Sequence, residues 1–193
     1  HVPGNYNAAR SMQDISKSCE ALMLPQEVGP VMRRAFTALR NGRGGPAVVE
    51  LPWDVLAEEI GGDLDYRPVA STRTAPDPED VRRAAQLLVQ AKRPVIHAGQ
   101  GVHWADAYSE LKALAELLAA PVSTSLEGKS AFDETHPLSI GSGGAAIPGQ
   151  LRHFLDRSDV ILGIGCSFAE TSFGVRMPTG KVLNVYFSEF VVQ

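Results

Sequence analysis

The chain has 193 residues, a net charge of −4, 44% hydrophobic and 7% aromatic content, enough for one medium core or parts of two. That charge gives no reason to expect nucleic acid or an anionic membrane as partner, and no apolar run is long enough to span a bilayer. Two cysteines, Cys19 and Cys166, are too few and too far apart for a disulfide framework or zinc site, so a cytoplasmic protein with reduced thiols is expected. The chain opens on His1-Val2-Pro3 without Met or a signal-like segment, which reads as a fragment or processed piece.

The first strong pattern is Arg33 to Val55, RRAFTALRNGRGGPAVVELPWDV. Val28, Val31, Met32, Ala35, Phe36 and Leu39 recur every three or four residues and predict an amphipathic helix that starts near Pro25. Asn41 and Gly42 stop it, and Arg43-Gly44-Gly45 turn the chain. The unbroken run Ala47-Val48-Val49, with Leu51 beyond, suits a strand buried on both faces of a parallel sheet, and Pro52 ends it.

From Leu56 the pattern decays into Glu58-Glu59, Gly61-Gly62, Pro68 and Ser71 to Thr74, which reads as a linker over residues 57–75. At Pro76 to Asp80 a helix start appears, with Val81, Ala84, Ala85, Leu87 and Leu88 as its buried stripe. Strand and helix then alternate. Strands are expected at Pro94–His97, Val122–Ser125, Val160–Gly163 and Val182–Val185, with helices at Trp104–Ala119 and Gln150–Leu155. Alternation of this kind predicts an α/β fold: a parallel, Rossmann-like sheet with flanking helices, preceded by the terminal helix and strand of a second α/β domain.

Open parallel sheets bind ligands at the carboxyl ends of their strands, where strand order reverses. Three strand exits here are small: Gly99-Gln100-Gly101, Thr124-Ser125 and Gly163 to Ser167. All three are candidates to face one crevice. Plainer readings stand beside this. A single Gly-x-Gly is more often a turn than a cofactor loop. His97 reads as a hydrogen-bonded core residue, Asp133, Glu134 and His136 as a solvated turn before Pro137, and Cys166 as an inert thiol. Trp53 and Trp104 read as plugs of packing gaps at domain junctions.

Taken in order, these motifs resemble the thiamine-diphosphate enzymes of the acetolactate synthase type. Arg33 to Phe36, Gly42 to Ala47, Val48 to Leu51 and Pro52 to Asp54 are similar to the end of their pyrimidine-binding domain, with Gly45 departing from the usual pattern. The segments 93–102, 121–141 and 158–168 are similar to their central domain, and the resemblance runs from about Met12 to about Val185. It implies residues 1–56 as the C-terminal part of the pyrimidine-binding domain, the linker 57–75, and 76–193 as an incomplete central domain.

The resemblance further implies a parent enzyme that decarboxylates or ligates a small 2-oxo acid such as pyruvate, as a homodimer or homotetramer. Thiamine diphosphate and magnesium would be held by regions outside this chain. Neither the activating glutamate nor the Gly-Asp-Gly…Asn metal motif is present; Glu50, Glu58 and Glu59 do not occupy the glutamate's position, and Gly141 to Gly144 lacks the metal-binding residues. No catalytic residue is therefore assigned, and the piece is expected to be inactive alone. In the acetolactate synthase branch the central domain takes FAD. By resemblance its contacts would be Gly99, Gln100 and Gly101, then Thr124, Ser125 and Leu126, then Gly165, Cys166 and Ser167; Gln100 stands where the family has glycine and Ser167 where it has arginine. The alternatives are a stand-alone FAD or other nucleotide-binding module without catalysis, and a purely structural piece. After Val185 the family pattern is lost in Tyr186 to Gln193, which reads as truncation or a frame change leaving an exposed apolar strand edge.

Overall fold

The computed structural model describes residues 8–42, 44–70, 75–168, 174–178, 182–185 and 190–192. Arg43, the run 71–74 and the segment 186–189 lie outside them. The chain divides into two compact units, His1–Thr74 and Ala75–Gln193.

In the first unit, helix α1 (Ala8–Met12) and a short 3-10 turn lead into strand β1 (Ser18–Ala21). A second 3-10 turn, Pro25–Glu27, runs into α2 (Val28–Arg40), so Pro25 does open the helical segment. Gly42, at φ +67°, turns the chain toward β2 (Ala47–Glu50), which pairs in parallel with β1, and α3 (Trp53–Leu56) follows. The Glu50 carboxylate accepts a hydrogen bond from the Ala9 amide at 3.1 Å, satisfying one of the donors that a helix start leaves over. The core is small: Leu22, Val31 and Val55, with Val28 and Val49 packed against them. Every residue of β2 is half-buried rather than buried on both faces, because β1 is its one strand neighbour among the described residues.

The second unit is a six-stranded sheet in the order β5-β4-β3-β6-β7-β8. It opens with α4 (Pro78–Gln90), whose Asp77 cap accepts from the Glu79 amide at 2.7 Å. Only Ala84 and Leu88 of the expected stripe are buried; Val81, Ala85 and Leu87 are exposed, since a single line of residues four apart faces the sheet. Then come β3 (Pro94–Ala98), α5 (Gly101–Ala105), α6 (Tyr108–Leu118), β4 (Val122–Ser125), β5 (Ser139–Gly143), α7 (Gly149–Arg157), β6 (Val160–Ile164), β7 (Val182–Val185) and β8 (Phe190–Val192). The helix expected over Trp104–Ala119 is broken in two: Asp106 adopts a left-handed conformation, φ 53°, that ends α5.

Strands β3 to β7 pair in parallel, and β8, from the segment after Val185, returns antiparallel against β7 as the edge strand of the sheet. Alternating residues feed two cores. Ile96, Ala98 and Leu162 join Ala84, Leu88, Leu111 and Ala115 on the α4/α6 face, while Val95 and Ile161 join Leu151 and Leu155 of α7 on the other. That two-sided cover is what a parallel sheet requires. The Asp159 carboxylate accepts from the Lys92 and Arg93 amides at 2.7 and 2.9 Å, tying the entry of β6 to that of β3; burial works against its charge, but those amides hold its pKa below the usual carboxylate value. Trp53 and Trp104 plug no gap: they are 86% and 69% exposed.

The crevice at the strand-order switch

Strand order reverses at β3, whose neighbours β4 and β6 lead to opposite edges of the sheet. Two of the three exits singled out from the sequence, Gly99-Gln100-Gly101 and Gly165-Cys166, meet here through backbone, and the third reaches them through Gly128 beyond Thr124-Ser125. A Cβ built on Gly99 would stand 2.4 Å from the Gly165 carbonyl oxygen and 2.8 Å from the Cys166 Cβ. One on Gly101 would stand 2.6 Å from the Gly165 Cα. Gly128, a residue the sequence analysis passed over, presses on Gly99 from the β4 side, and its Cβ would lie 2.6 Å from the Ala98 carbonyl oxygen. A glycine three residues beyond the end of β4 is the sequence signal for it.

The polar groups at the exits are turned inward. Gly99 and Gly101 donate their amides to the carbonyls of Ile164 and Gly165 at 2.8 and 2.9 Å. Thr124 Oγ1 pairs with Ser142 Oγ at 2.8 Å across β4 and β5, and Ser125 Oγ accepts from the Gly128 amide at 3.0 Å. The Cys166 thiol donates to the His97 carbonyl at 3.3 Å; burial pushes its pKa up to about 12, so the thiol is inert at neutral pH. Gln100, Leu126 and Ser167 are the exposed members of the nine.

His97, next to last in β3, is the hydrogen-bonded buried core residue expected from the sequence. Its Nδ1 lies 2.8 Å from Ser123 Oγ, which reaches the Ile96 carbonyl at 3.4 Å, and its ring stacks on Phe168 at 5.9 Å. Desolvation lowers its pKa to about 4 and keeps the imidazole neutral. Asp133 and His136 form a turn: the Asp133 carboxylate accepts from the Thr135 hydroxyl and amide, which lower its pKa, and His136 faces Glu116 at 3.2 Å. Among the described residues no group of three or more His, Cys, Asp or Glu is placed to hold a metal ion. Gly141 to Gly143 lie in β5, where Gly143 packs on Leu151 and Val175.

A profile of the family described as "Thiamine pyrophosphate enzyme, central domain" matches residues 81–188, more than half of the chain. The chain belongs to that family. It is 34% identical over 170 residues to the acetolactate synthase large subunit of Corynebacterium glutamicum, covering 83% of this chain and 26% of that protein. It is 38% identical over 157 residues to the glyoxylate carboligase of Escherichia coli O157:H7, covering 80% and 26%. Among solved structures, benzoylformate decarboxylase from Polynucleobacter necessarius superposes with a TM-score of 0.74 at 26% identity, over 94% of this chain and 36% of that one. A candidate thiamin diphosphate-dependent enzyme from Mycobacterium smegmatis gives 0.78 at 26% identity, over 93% and 35%. The chain thus spans about a quarter of the curated relatives it matches and about a third of the solved chains.

For a thiamine pyrophosphate enzyme central domain, the question at the switch point is whether its residues suit the flavin that the sequence resemblance implies. They do not. A flavin diphosphate needs free amides or cations, and here the Gly99 and Gly101 amides are taken by the neighbouring strand exit. Residues 99–101, 124–128 and 165–168 include no lysine or arginine and one carboxylate, Glu127. The glycines are accounted for by the closeness of the loops to one another.

Proposed function

We propose that this chain is a structural segment of a thiamine-diphosphate-dependent 2-oxo-acid decarboxylase or carboligase of the acetolactate synthase type. The observation that carries the reading is the family match over residues 81–188, joined to similarity that covers 83% of the chain in an acetolactate synthase. A glyoxylate carboligase and a benzoylformate decarboxylase among its relatives support a small 2-oxo acid such as pyruvate as the parent's substrate. Thiamine diphosphate, when bound, supplies a carbon nucleophile and an electron sink for the lost carboxylate. In the proposed parent that cofactor and its magnesium are held by regions outside this chain, in a homodimer or homotetramer working in the cytoplasm.

The part this chain plays is then architectural. Its six-stranded sheet supplies a two-sided core, and at the switch point the β3 and β6 exits hold one another by close backbone contact and hydrogen bonds. The exposed trio Gln100, Leu126 and Ser167 offers no charge to an anion, which supports a scaffold in place of a flavin or nucleotide carrier.

The test uses the full reading frame that contains this segment. Supplied with thiamine diphosphate, magnesium and pyruvate or glyoxylate, it should release carbon dioxide in proportion to cofactor loading. A protein that folds and binds thiamine diphosphate yet turns over no 2-oxo acid would overturn the reading.

A further inference from the structure

Residues 57–70 carry the composition of a linker, yet part of this stretch follows helix α2 in register. Four α2 residues touch it: Gly29, Arg33, Phe36 and Arg40, spaced four, three and four apart, which is one line down a helix. The opposite line holds Val31, which joins the small core, and the buried Ala35. At the upper end a Cβ on Gly29 would meet the Asp65 carbonyl at 3.5 Å and the Leu64 side chain at 3.7 Å. Arg33 Nη2 donates to the Asp65 carbonyl at 3.1 Å. The Phe36 and Tyr66 rings lie 6.3 Å apart, and Arg40 both donates to the Val69 carbonyl and covers the Phe36 ring at 5.4 Å.

The lengths agree. Eleven helical steps from Gly29 to Arg40 rise about 16 Å, and five steps of extended backbone from Leu64 to Val69 cover about the same distance. Tyr66 and Val69 are half-buried between exposed neighbours.

We infer that Leu64 to Val69 form a docked strap belonging to the first unit, that the stripe Gly29-Arg33-Phe36-Arg40 is its receptor, and that this clasp fixes where the chain leaves that unit. The carbonyls of Asp65 and Val69, free of any helix or sheet, are the strap's handles, and the two guanidinium groups suit them because each donor reaches from a helix turn without moving the helix. The inference is independent of the proposed activity.

Chymotrypsin cleavage after Tyr66 in the whole chain is the direct probe, measured beside a free peptide of residues 61–72. Cleavage in the chain should be at least about tenfold slower than in the peptide, and Arg33→Ala with Arg40→Ala should restore about tenfold of the rate, as expected when two charge-assisted bonds hold a local opening closed. Cleavage sites in the second unit should keep their rates. Phe36→Leu, which leaves both arginines, should give a smaller acceleration confined to the same bond. Equal rates in chain and peptide, or an unchanged rate in the double variant, would show that no strap is held. An acceleration spread over all sites would show that the arginines stabilise the fold generally, and would equally overturn the clasp.

Discussion

In the first unit β2 leaves all four of its residues half-buried, while in the second β3 buries four of its five. Both are apolar strands paired in parallel, so the difference lies in their surroundings. β3 has strands on both sides and helices on both faces; β2 has one described strand neighbour and a three-residue core. Parallel strands need cover on two faces, and the contrast teaches that burial follows the neighbours: β3 has cover on both faces and both edges, whereas β2 has one strand neighbour among the described residues.

Large-to-small substitution breaks this comparison most directly. Ile96→Ala removes a side chain of 0% exposure from the two-sided core and should destabilise the second unit by about 3–4 kcal/mol. Val31→Ala, in the small core of the first unit, should cost about 1–2 kcal/mol, because the surroundings collapse more easily. Denaturant unfolding followed by unit-specific hydrogen exchange measures both. Gly101→Val tests the closed switch point in the same experiment: its Cβ meets backbone that cannot swing away, so a loss of roughly 3 kcal/mol is expected.

Acid sharpens the contrast through His97. Its folded pKa of about 4 lies below the ordinary 6.5, so the unfolded chain binds a proton that the folded one refuses. The stability this neutral imidazole contributes is complete above about pH 6.5 and is lost as pH falls toward 4, by roughly 3 kcal/mol in all. Melting the second unit across that window should show the fall, and His97→Gln should flatten it.

Thiol chemistry gives the next effect. Cys19 is half-buried in the first unit and Cys166 is buried in the second, with its pKa raised to about 12. A disulfide-exchange reagent at pH 8 should label Cys19 first, and Cys166 only as the second unit opens. Smallest of all is the ion pair of Arg34 with Glu20, where the guanidinium holds the carboxylate pKa down. Arg34 is largely exposed, so Arg34→Ala should leave the melting temperature nearly unchanged.

Much of the second unit is legible in the sequence because its strands are short apolar runs between clear helix starts. Val122–Ser125 and Val182–Val185 have their expected bounds. β5 is not legible: Ser-Ile-Gly-Ser-Gly has one branched side chain, and only the neighbouring β4 makes it a strand. β1 escapes for a related reason, since Ser-Cys-Glu-Ala has no β-branched or aromatic side chain and is held by its pairing with β2. At the switch point the meeting of the β3 and β6 exits is legible from their glycines, but not what the glycines are for. A glycine that lets backbone approach a ligand and one that lets backbone approach backbone look alike in sequence; the hydrogen bonds from Gly99 and Gly101 to the β6 exit distinguish them.

The central claim, that this domain belongs to a thiamine-diphosphate enzyme yet keeps its switch point closed, is tested most directly by titrating the chain with FAD and following flavin fluorescence. The expected result is a flat response with no saturation. Saturable quenching at one flavin per chain, weakened by Ser125→Ala, would contradict the closed crevice and restore the flavin site.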